Sequence, residues 1–460
     1  MKTNIQLPLE YAKAFKSADI RGIYPTQINE EVAYRTAKAF VQHFNLKKMV
    51  LARDMRISSL SIRKAFIKGI REQGADVLDI GLAGTPAMYY MAGRYKMAGA
   101  VITASHNPKE FNGIKLVEAG AIPLTDKTGL CAIQKMVEEN NFIPAKKKGK
   151  LQKKSIGAEY KKYVQQFVKF ESKKKIDIVV DAGNGMAVTL APILCKGLPF
   201  KIHKMFFKLD GSFPNRASNP TLAKNNKQIR DVIKKRKPDF GAAFDGDVDR
   251  VAFFDEKGDM VNSAVIGALI AAHMLKQKAG QTFVYTNFTS KSYEETVRSH
   301  GGKVLRARVG HAFIKRMMRE KTAVFSCEHS AHFYFKDNFY TDSGIITLLY
   351  VAELYAHARD EGKTFSQLVK EFDHYHQEEE ILIRVADKKK VLKKINEKYK
   401  TMKSFKCDNF DGLHAVSKEY WFTLKMSVTE DALKLIIEGR DKKQVKQKQK
   451  EILSLVGKLG

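Results

Sequence analysis

Short runs rich in apolar residues alternate with segments in which apolar residues recur every three or four positions. The runs Lys48–Ala52, Ala75–Ile80 and Ala98–Ile102 predict buried strands. A helix is predicted to begin at Ser58 or Ser59, between the first two strands. An earlier helix is predicted from apolar residues that share one face, namely Ala33, Ala37, Phe40, Val41 and Phe44. This rhythm predicts a covered, largely parallel sheet with functional residues at the carboxyl ends of its strands.

The same alternation continues through two further segments, after which the pattern changes. Asp177–Asp181 and Phe240–Phe244 predict strands of a second segment, and Ala323–Ser326 predicts one of a third. The final segment has predicted strands at Ile381–Val385 and Tyr420–Leu424, separated by lysine-rich helical stretches. The predicted fold class is α/β, with three similar mixed α/β domains with covered sheets and a smaller C-terminal α+β domain. We place the domains at residues 1–155, 156–258, 259–370 and 371–460.

A polar loop, Thr103–Lys115, follows the strand that ends at Ile102. Its sequence is TASHNPKEFNGIK. A nucleophilic serine needs an exposed turn, a nearby base and a rigid support, and Ser105 has His106 and Lys115 close by in sequence. An ordinary turn explains the same serine, asparagines and proline equally well. The loop alone leaves both interpretations open.

A second loop, DGDVDR at Asp245–Arg250, follows the predicted strand Phe240–Phe244. Three carboxylates at alternate positions repel one another unless a cation joins them, and hard oxygen ligands suit Mg²⁺ or Ca²⁺. A calcium-binding EF-hand loop also begins with alternating aspartates, but it needs glycine at its sixth position, where this chain has Arg250. Val251–Phe254 also predicts a strand instead of a flanking helix. The remaining interpretations are a different metal site and a charged hairpin loop.

Composition favours a globular protein of several domains. The chain has 460 residues, of which 44% are hydrophobic. Its cysteines, Cys131, Cys195, Cys327 and Cys407, lack metal-ligand spacing, so we expect reduced thiols and a cytoplasmic location. The beginning of the sequence has no apolar signal core, and the longest apolar run, Ala264–Leu275, is too short to span a bilayer. We therefore expect no membrane association.

The formal net charge of +31 raises the question of nucleic-acid binding. The densest basic runs, Ala145–Lys154 and Lys442–Lys450, lack the interleaved aromatic residues that stack on bases. No helix-turn-helix, zinc-finger or RNA-binding signature accompanies them. We interpret the excess as solvated lysine faces and expect no specific nucleic-acid partner. A positive field also favours the approach of a small anionic substrate.

The two loops together resemble those of the alpha-D-phosphohexomutase family, most closely its bacterial and archaeal phosphomannomutase/phosphoglucomutase members. Further similarity extends, in the same order, from the DIRG motif at Asp19–Gly22 to Trp421. The resemblance implies four domains around a central cleft, in a monomer or homodimer. It also implies a Mg²⁺-dependent enzyme that interconverts hexose 1-phosphates and hexose 6-phosphates, of mannose and/or glucose. The implied route uses a phosphoserine and a hexose 1,6-bisphosphate that is both intermediate and activator.

The resemblance also implies roles for individual residues. The metal ligands are phosphorylated Ser105, Asp245, Asp247 and Asp249. Lys115 is the expected general base, provided that burial and the nearby cation lower its pKa, and His106 and Arg21 are expected to steady the phosphoserine. Arg53 and Arg56, in a stretch resembling the family's RD-x-R motif, are expected to have structural roles. We also expect Ser105 to lie within about 10 Å of the Asp245 loop, because direct metal bonds are short.

The sugar and its other phosphate have their own expected contacts. The sugar-binding residues implied by the resemblance are Arg250, His311, Glu328, Ser330 and His332. The family's phosphate-binding loop, R-x-S-N-T-E-P, corresponds to Lys425–Asp431, which implies phosphate contacts from Lys425, Ser427 and Thr429. Lysine in place of arginine removes bidentate phosphate binding. Val428 removes an amide, and Asp431 adds a negative charge near the phosphate.

Three other activities fit the same residues. Phosphoglucosamine mutase is one, because it belongs to the same family. The altered Lys425–Asp431 loop suggests a second, a sugar-phosphate-binding paralogue with reduced turnover. The third is a metal-dependent phosphatase, for which serine, Mg²⁺ and water would suffice. The sequence does not choose between mannose and glucose, because both would use Glu328 and Ser330.

Overall fold

A computed structural model describes residues 7–427 and 431–459. The chain divides into two compact units. The first unit contains the residues up to Met260 together with Ala331–Phe365, and the second contains Val261–Ser330 and the residues from Ser366 onward. Among the described residues, no helix has the length and apolarity needed to cross a membrane. All four cysteines are free thiols.

The first sheet has seven strands, in the order β1-β5-β4-β2-β3-β7, with β6 paired to β5. Its strands are β1 (Ile20–Ile23), β2 (Lys48–Arg53), β3 (Asp76–Leu82), β4 (Ala98–Ile102), β5 (Phe111–Glu118), β6 (Ile122–Pro123) and β7 (Leu151–Lys153). Its helices are α1 (Glu30–His43), α2 (Ser59–Glu72), α3 (Thr85–Arg94) and α4 (Leu130–Glu139). Strands β2, β3, β4 and β7 are parallel, whereas β5 is antiparallel to both β4 and β1. The sheet is therefore mixed.

The predicted strands and helices of this segment are confirmed. The side chain of Asn29 caps α1 by accepting a hydrogen bond from Val32 N. Ala33, Ala37 and Phe40 are buried in the core that α1 forms with α2 and the sheet. The apolar face of α1 thus packs as its period predicts, and the sheet holds Ser105 at the carboxyl end of β4.

The second sheet has the order β12-β11-β10-β8-β9. Its strands are β8 (Ile176–Asp181), β9 (Phe200–Met205), β10 (Phe240–Phe244), β11 (Val251–Phe254) and β12 (Met260–Val261). The accompanying helices are α5 (Gly157–Gln165), α6 (Ala187–Leu194) and α7 (Lys227–Arg236). Strand β10 is parallel to β8 and antiparallel to β11. The Asp245–Arg250 loop is therefore the connection of a β-hairpin, which excludes the helix-flanked EF-hand.

The third α/β segment repeats the strand–helix alternation. In the second unit it comprises α8 (Ser263–Gln277), β13 (Thr282–Thr286), α9 (Lys291–Ser299), β14 (Lys303–Ala307), α10 (His311–Glu320) and β15 (Phe325–Cys327). Strand β13 is parallel to β14 and β15. The chain continues through β16 (Phe333–Phe335), β17 (Thr341–Asp342), α11 (Gly344–Asp360) and α12 (Phe365–Lys370). Strands β16 and β17 are antiparallel.

The last segment is an antiparallel sheet with two helices. Its strands are β18 (His376–Gln377), β19 (Ile381–Ile383), β20 (Lys406–Asp408), β21 (Leu413–Val416), β22 (Tyr420–Met426) and β23 (Leu433–Gly439). Its helices are α13 (Lys388–Lys400) and α14 (Lys442–Leu459). Both helices contribute to the core, with Val391 and Ile395 from α13 and Ile452 from α14. The predicted fold class, three mixed α/β sheets and a C-terminal α+β domain, is confirmed.

Candidate active site

Ser105 begins the loop after β4 and has an unusual backbone conformation. Its φ is 50°, in the left-handed region that residues other than glycine rarely adopt. Its backbone N–H donates to Thr103 Oγ1 (2.9 Å), and its carbonyl accepts from Ser218 Oγ (3.0 Å) and Arg56 Nη2 (2.8 Å). Residues in such conformations persist only where the surrounding contacts fix them, and they are concentrated at functional sites.

Ser105 meets the aspartates of the second loop directly. Its Oγ donates a 2.7 Å hydrogen bond to Asp245 Oδ2. One carboxylate oxygen from each of Asp245, Asp247 and Asp249 lies within 4.8 Å of the others, and all three residues are buried. The predicted proximity of Ser105 to this loop is confirmed.

The chemistry of these aspartates fits a divalent cation with oxygen ligands. Asp247 Oδ1 is buried and accepts no hydrogen bond from the described residues, and the buried Asp249 Oδ1 lies 3.4 Å from His332 Nε2. Burial, together with the neighbouring charges of Asp249 and Asp247, raises the pKa of Asp245 well above its usual value. A buried group of like charges with an unsatisfied oxygen is what a hard cation such as Mg²⁺ stabilises.

Lys115 lies on β5, opposite Val101 of β4. Its Nζ is 3.0 Å from Asp247 Oδ2 and 2.5 Å from Asp249 Oδ2. Burial lowers the pKa of Lys115, but Asp247 and Asp249 outweigh burial and hold it well above its usual value. Burial thus acts in the direction that the general-base role requires, but in this arrangement the two aspartates reverse its effect and Lys115 is an ammonium. Its role as a general base stays a prediction.

His106 lies beside the serine and contacts Arg250, and Arg21 contacts the same loop. His106 Nδ1 is 3.5 Å from Ser105 Oγ and 2.7 Å from Arg250 Nη2. Desolvation, and then the charges of Arg250 and Arg21, lower the pKa of His106 well below its usual value. The imidazole is therefore neutral and accepts from Arg250. Arg21 donates to Asn107 Oδ1 (2.9 Å) in the same loop.

Three residues near these groups were not predicted from the sequence. Thr85, at the start of α3, donates a 2.5 Å hydrogen bond from Oγ1 to Asp247 Oδ2. Ser218 contacts the Ser105 carbonyl, as described above. Asp342 of β17 forms a close group with Asp249 and His332, whose Nε2 is 3.4 Å from Asp249 Oδ1. No local motif marks any of the three in the sequence.

Other predicted sugar-binding residues belong to the second unit. Glu328 is buried, and its Oε1 accepts from Gly310 N (3.2 Å), directly before His311 at the start of α10. Ser330 follows in the same loop and is partly buried. The loops that carry His311 and Glu328 therefore lie together, whereas Arg250 and His332 belong to the first unit.

The predicted phosphate-binding loop has an unexpected ion pair. Lys425 is buried, and its Nζ donates to Asp411 Oδ2 (2.6 Å), which also accepts from Val309 N (2.8 Å). Burial lowers the pKa of Lys425, against the opposing effect of Asp411. Ser427 N donates to the Ala432 carbonyl (2.9 Å), and Thr429 lies outside the described residues. Phosphate binding by these residues stays a prediction, and Asp411 was missed.

Comparison with known proteins identifies the class. The chain matches the families described as Phosphoglucomutase/phosphomannomutase, alpha/beta/alpha domain I over residues 12–143, domain II over residues 158–258 and domain III over residues 262–375. The chain therefore belongs to the alpha-D-phosphohexomutase family. It is a phosphohexomutase, an intramolecular phosphotransferase.

Relatives matched over nearly their full length, and a solved structure, support the same family assignment. The chain is 37% identical over 451 residues to a phosphomannomutase of Methanocaldococcus jannaschii, covering 97% of this chain and 98% of the relative. It is 33% identical over 435 residues to a phosphomannomutase of Escherichia coli K12, covering 93% and 94%. The crystal structure of a phosphoglucomutase/phosphomannomutase family protein from Burkholderia thailandensis has a TM-score of 0.87 at 26% identity, covering 96% and 97% of the two chains.

Proposed function

We propose that this enzyme interconverts mannose 1-phosphate and mannose 6-phosphate, and the corresponding glucose phosphates, through a phosphoserine at Ser105. The observation that carries the proposal is the 2.7 Å contact between Ser105 Oγ and Asp245 Oδ2. It places a strained, buried serine against three carboxylates suited to Mg²⁺. Relatives at 33% and 37% identity that are named phosphomannomutases support mannose phosphate as substrate.

In the proposed reaction, phosphorylated Ser105 gives its phosphoryl group to the free hydroxyl of the bound sugar phosphate. The bond between phosphorus and Ser105 Oγ breaks, a bond to the sugar oxygen forms, and the hydroxyl proton passes to the protein. The resulting 1,6-bisphosphate reorients and returns its other phosphoryl group to Ser105 Oγ. The released product therefore carries its phosphate on the other carbon.

The residues around Ser105 have distinct proposed roles. Asp245, Asp247, Asp249 and phosphorylated Ser105 would hold Mg²⁺, which when bound neutralises charge on the transferred group. Arg21 and His106 steady the phosphoserine. We propose Lys115 as the group that accepts the hydroxyl proton. That role requires Lys115 to lose its proton first, because it is an ammonium while paired with Asp247 and Asp249.

Substrate recognition is proposed for the residues that the family resemblance indicated. Glu328, Ser330 and His311 accept or donate hydrogen bonds to sugar hydroxyls, as do Arg250 and His332. The phosphate of the substrate that does not react is bound by three other residues, Lys425, Ser427 and Thr429. For Lys425 this requires that the substrate phosphate compete with Asp411.

The first experiment measures conversion of mannose 1-phosphate to mannose 6-phosphate with Mg²⁺ and a trace of 1,6-bisphosphate. Ser105→Ala is the control, and intact mass reports whether the wild-type protein carries a phosphate that the variant lacks. We expect turnover with mannose and glucose phosphates and none in the variant. Faster conversion of glucosamine phosphate would favour phosphoglucosamine mutase. Release of inorganic phosphate as fast as the sugar phosphate is consumed would instead indicate a phosphatase. Binding of sugar phosphate without phosphoryl exchange would indicate a sugar-phosphate-binding paralogue with reduced turnover.

A further inference from the structure

The side chain of Arg56 lies beneath the Ser105 loop and binds its backbone at four points. Nη2 donates to the carbonyls of Ser105 (2.8 Å) and Asn107 (2.6 Å). Nη1 donates to the carbonyls of Pro108 (2.6 Å) and Phe111 (2.9 Å). One planar guanidinium therefore holds the loop from Ser105 to the start of β5. A structural role was expected for Arg56, but nothing in the sequence indicated contact with this loop.

The orientation of the guanidinium is fixed from its other side. Asp54 Oδ2 is 3.3 Å from Arg56 Nε, and both side chains are completely buried. Asp54 Oδ1 in turn accepts from Ser59 Oγ (2.5 Å) and from Arg56 N (3.0 Å). The Arg56 guanidinium carbon also lies 5.0 Å from the centre of the Phe213 ring. The rigid fork of arginine suits this task, since no other side chain offers five donors in one plane.

The conformation that Arg56 holds is the one that directs Ser105 toward the aspartates. Ser105 has a φ of 50°, which is unfavourable for serine unless other contacts stabilise it. Arg56 binds the carbonyl of the same residue whose Oγ contacts Asp245. Without the guanidinium, each of the four loop carbonyls would lose one hydrogen bond, while those of Ser105 and Pro108 would keep a second donor, Ser218 Oγ and Phe111 N respectively. The loop would then be free to relax.

We propose that Arg56 is a positioning residue for phosphoryl transfer, which fixes the backbone of the Ser105 loop so that Oγ points at Asp245. This inference rests on the proposed function for its catalytic consequence, but the effect on the loop can be measured without turnover. Arg56 does not touch the reacting atoms. Its loss should therefore slow the chemical step and leave substrate binding nearly unchanged.

The test uses Arg56→Lys and Arg56→Ala in the full-length protein, with Arg53→Lys as the matched control. Arg53 is only three residues away, but its Nη1 donates to the Asp54 carbonyl instead of the loop. We expect kcat to fall about a hundredfold in Arg56→Lys with KM within a few-fold of wild type, since small misplacements of reacting groups have effects of this size. Added guanidinium should partly restore kcat in Arg56→Ala but not in Ser105→Ala.

Two further readouts separate loop positioning from general destabilisation. Amide hydrogen exchange in the peptide spanning residues 105–111 should increase in Arg56→Lys and stay at the wild-type level in Arg53→Lys. The ³¹P resonance of phosphorylated Ser105 should shift in the first variant only. If amide exchange in the loop were unchanged in Arg56→Lys, the proposal would be overturned even if kcat fell. An equal fall of kcat in Arg56→Lys and Arg53→Lys would also overturn it. If the wild-type protein proved inactive as a mutase, the proposed function would fail, while the exchange experiment would still decide whether Arg56 holds the loop.

Discussion

Ser105 Oγ donates a 2.7 Å hydrogen bond to Asp245 Oδ2, although the two residues are 140 positions apart in the chain. Ser105 follows β4 of the first sheet, and Asp245 follows β10 of the second. Each lies at the carboxyl end of its strand, where functional residues of α/β sheets are concentrated. The proposed nucleophile and its acidic partner therefore follow strands of two different sheets of the first unit.

Replacing one aspartate should weaken Mg²⁺ binding. In Asp245→Asn the site loses one charged oxygen ligand, so we expect Mg²⁺ affinity measured by calorimetry to fall about tenfold or more. The rise in unfolding temperature that Mg²⁺ causes in the wild type should shrink accordingly. Asp231→Asn, on the exposed face of α7, is the control and should bind Mg²⁺ normally. Equal affinity in both variants would remove Asp245 from the metal site.

Lys115 should be essential for both activity and stability. Lys115→Met leaves Asp247 and Asp249 buried without their cation, so we expect the free energy of unfolding without Mg²⁺ to fall by about 3 kcal/mol. We also expect kcat to fall about a hundredfold or more, as for loss of a general base. Urea unfolding and steady-state kinetics measure the two effects. The control is Lys109→Met, at an exposed position of the Ser105 loop, which should change neither. A stable, fully active Lys115→Met protein would contradict both roles.

The C-terminal domain should lose stability as pH rises toward neutrality because of Glu438. Burial raises the pKa of Glu438 from 4.5 to about 7, although Trp421 Nε1 and Lys291 N donate to its Oε1. The folded domain therefore binds this proton more tightly than the unfolded chain. The stabilisation is complete below pH 4.5 and is lost as pH rises through about 7, with a maximum size of about 3 kcal/mol.

Trp421 makes this pH dependence measurable, because it is the chain's single tryptophan and contacts Glu438. Urea unfolding followed by its fluorescence should give a higher free energy of unfolding at about pH 5 than at about pH 8. Glu438→Gln, which cannot ionise, should flatten the difference. If the free energy of unfolding depended on pH in the same way in wild type and Glu438→Gln, Glu438 would not titrate in this range.

Lys425 should contribute to substrate affinity despite its pairing with Asp411. If the substrate phosphate competes with Asp411, Lys425→Met should raise KM about tenfold, as expected for one charged hydrogen bond, and change kcat less. The control is Lys434→Met, because Lys434 is the cross-strand neighbour of Lys425 and pairs with Glu380 instead. Equal KM values in all three proteins would assign Lys425 a purely structural role.

Many of the strands and helices, and the two loops that carry the family resemblance, could be predicted from the amino-acid sequence. The spacing of apolar residues along the chain is a local property, and it was sufficient to predict β2, β3, β4 and α1. The Ser105 loop and the Asp245–Arg250 loop are each formed by contiguous residues, so both motifs can be recognised in the sequence. Together they resemble the motifs of the alpha-D-phosphohexomutase family.

How those residues are paired in space could be seen only in the folded protein. The antiparallel placement of β5 brings Lys115 to Asp247 and Asp249, and their charges outweigh the effect of burial on its pKa. The contacts of Arg56 with the Ser105 loop, and of Asp411 with Lys425, likewise join residues that lie apart in the sequence. Hydrogen bonds and charge interactions depend on distance in space, and the order of strands in the sheets sets that distance.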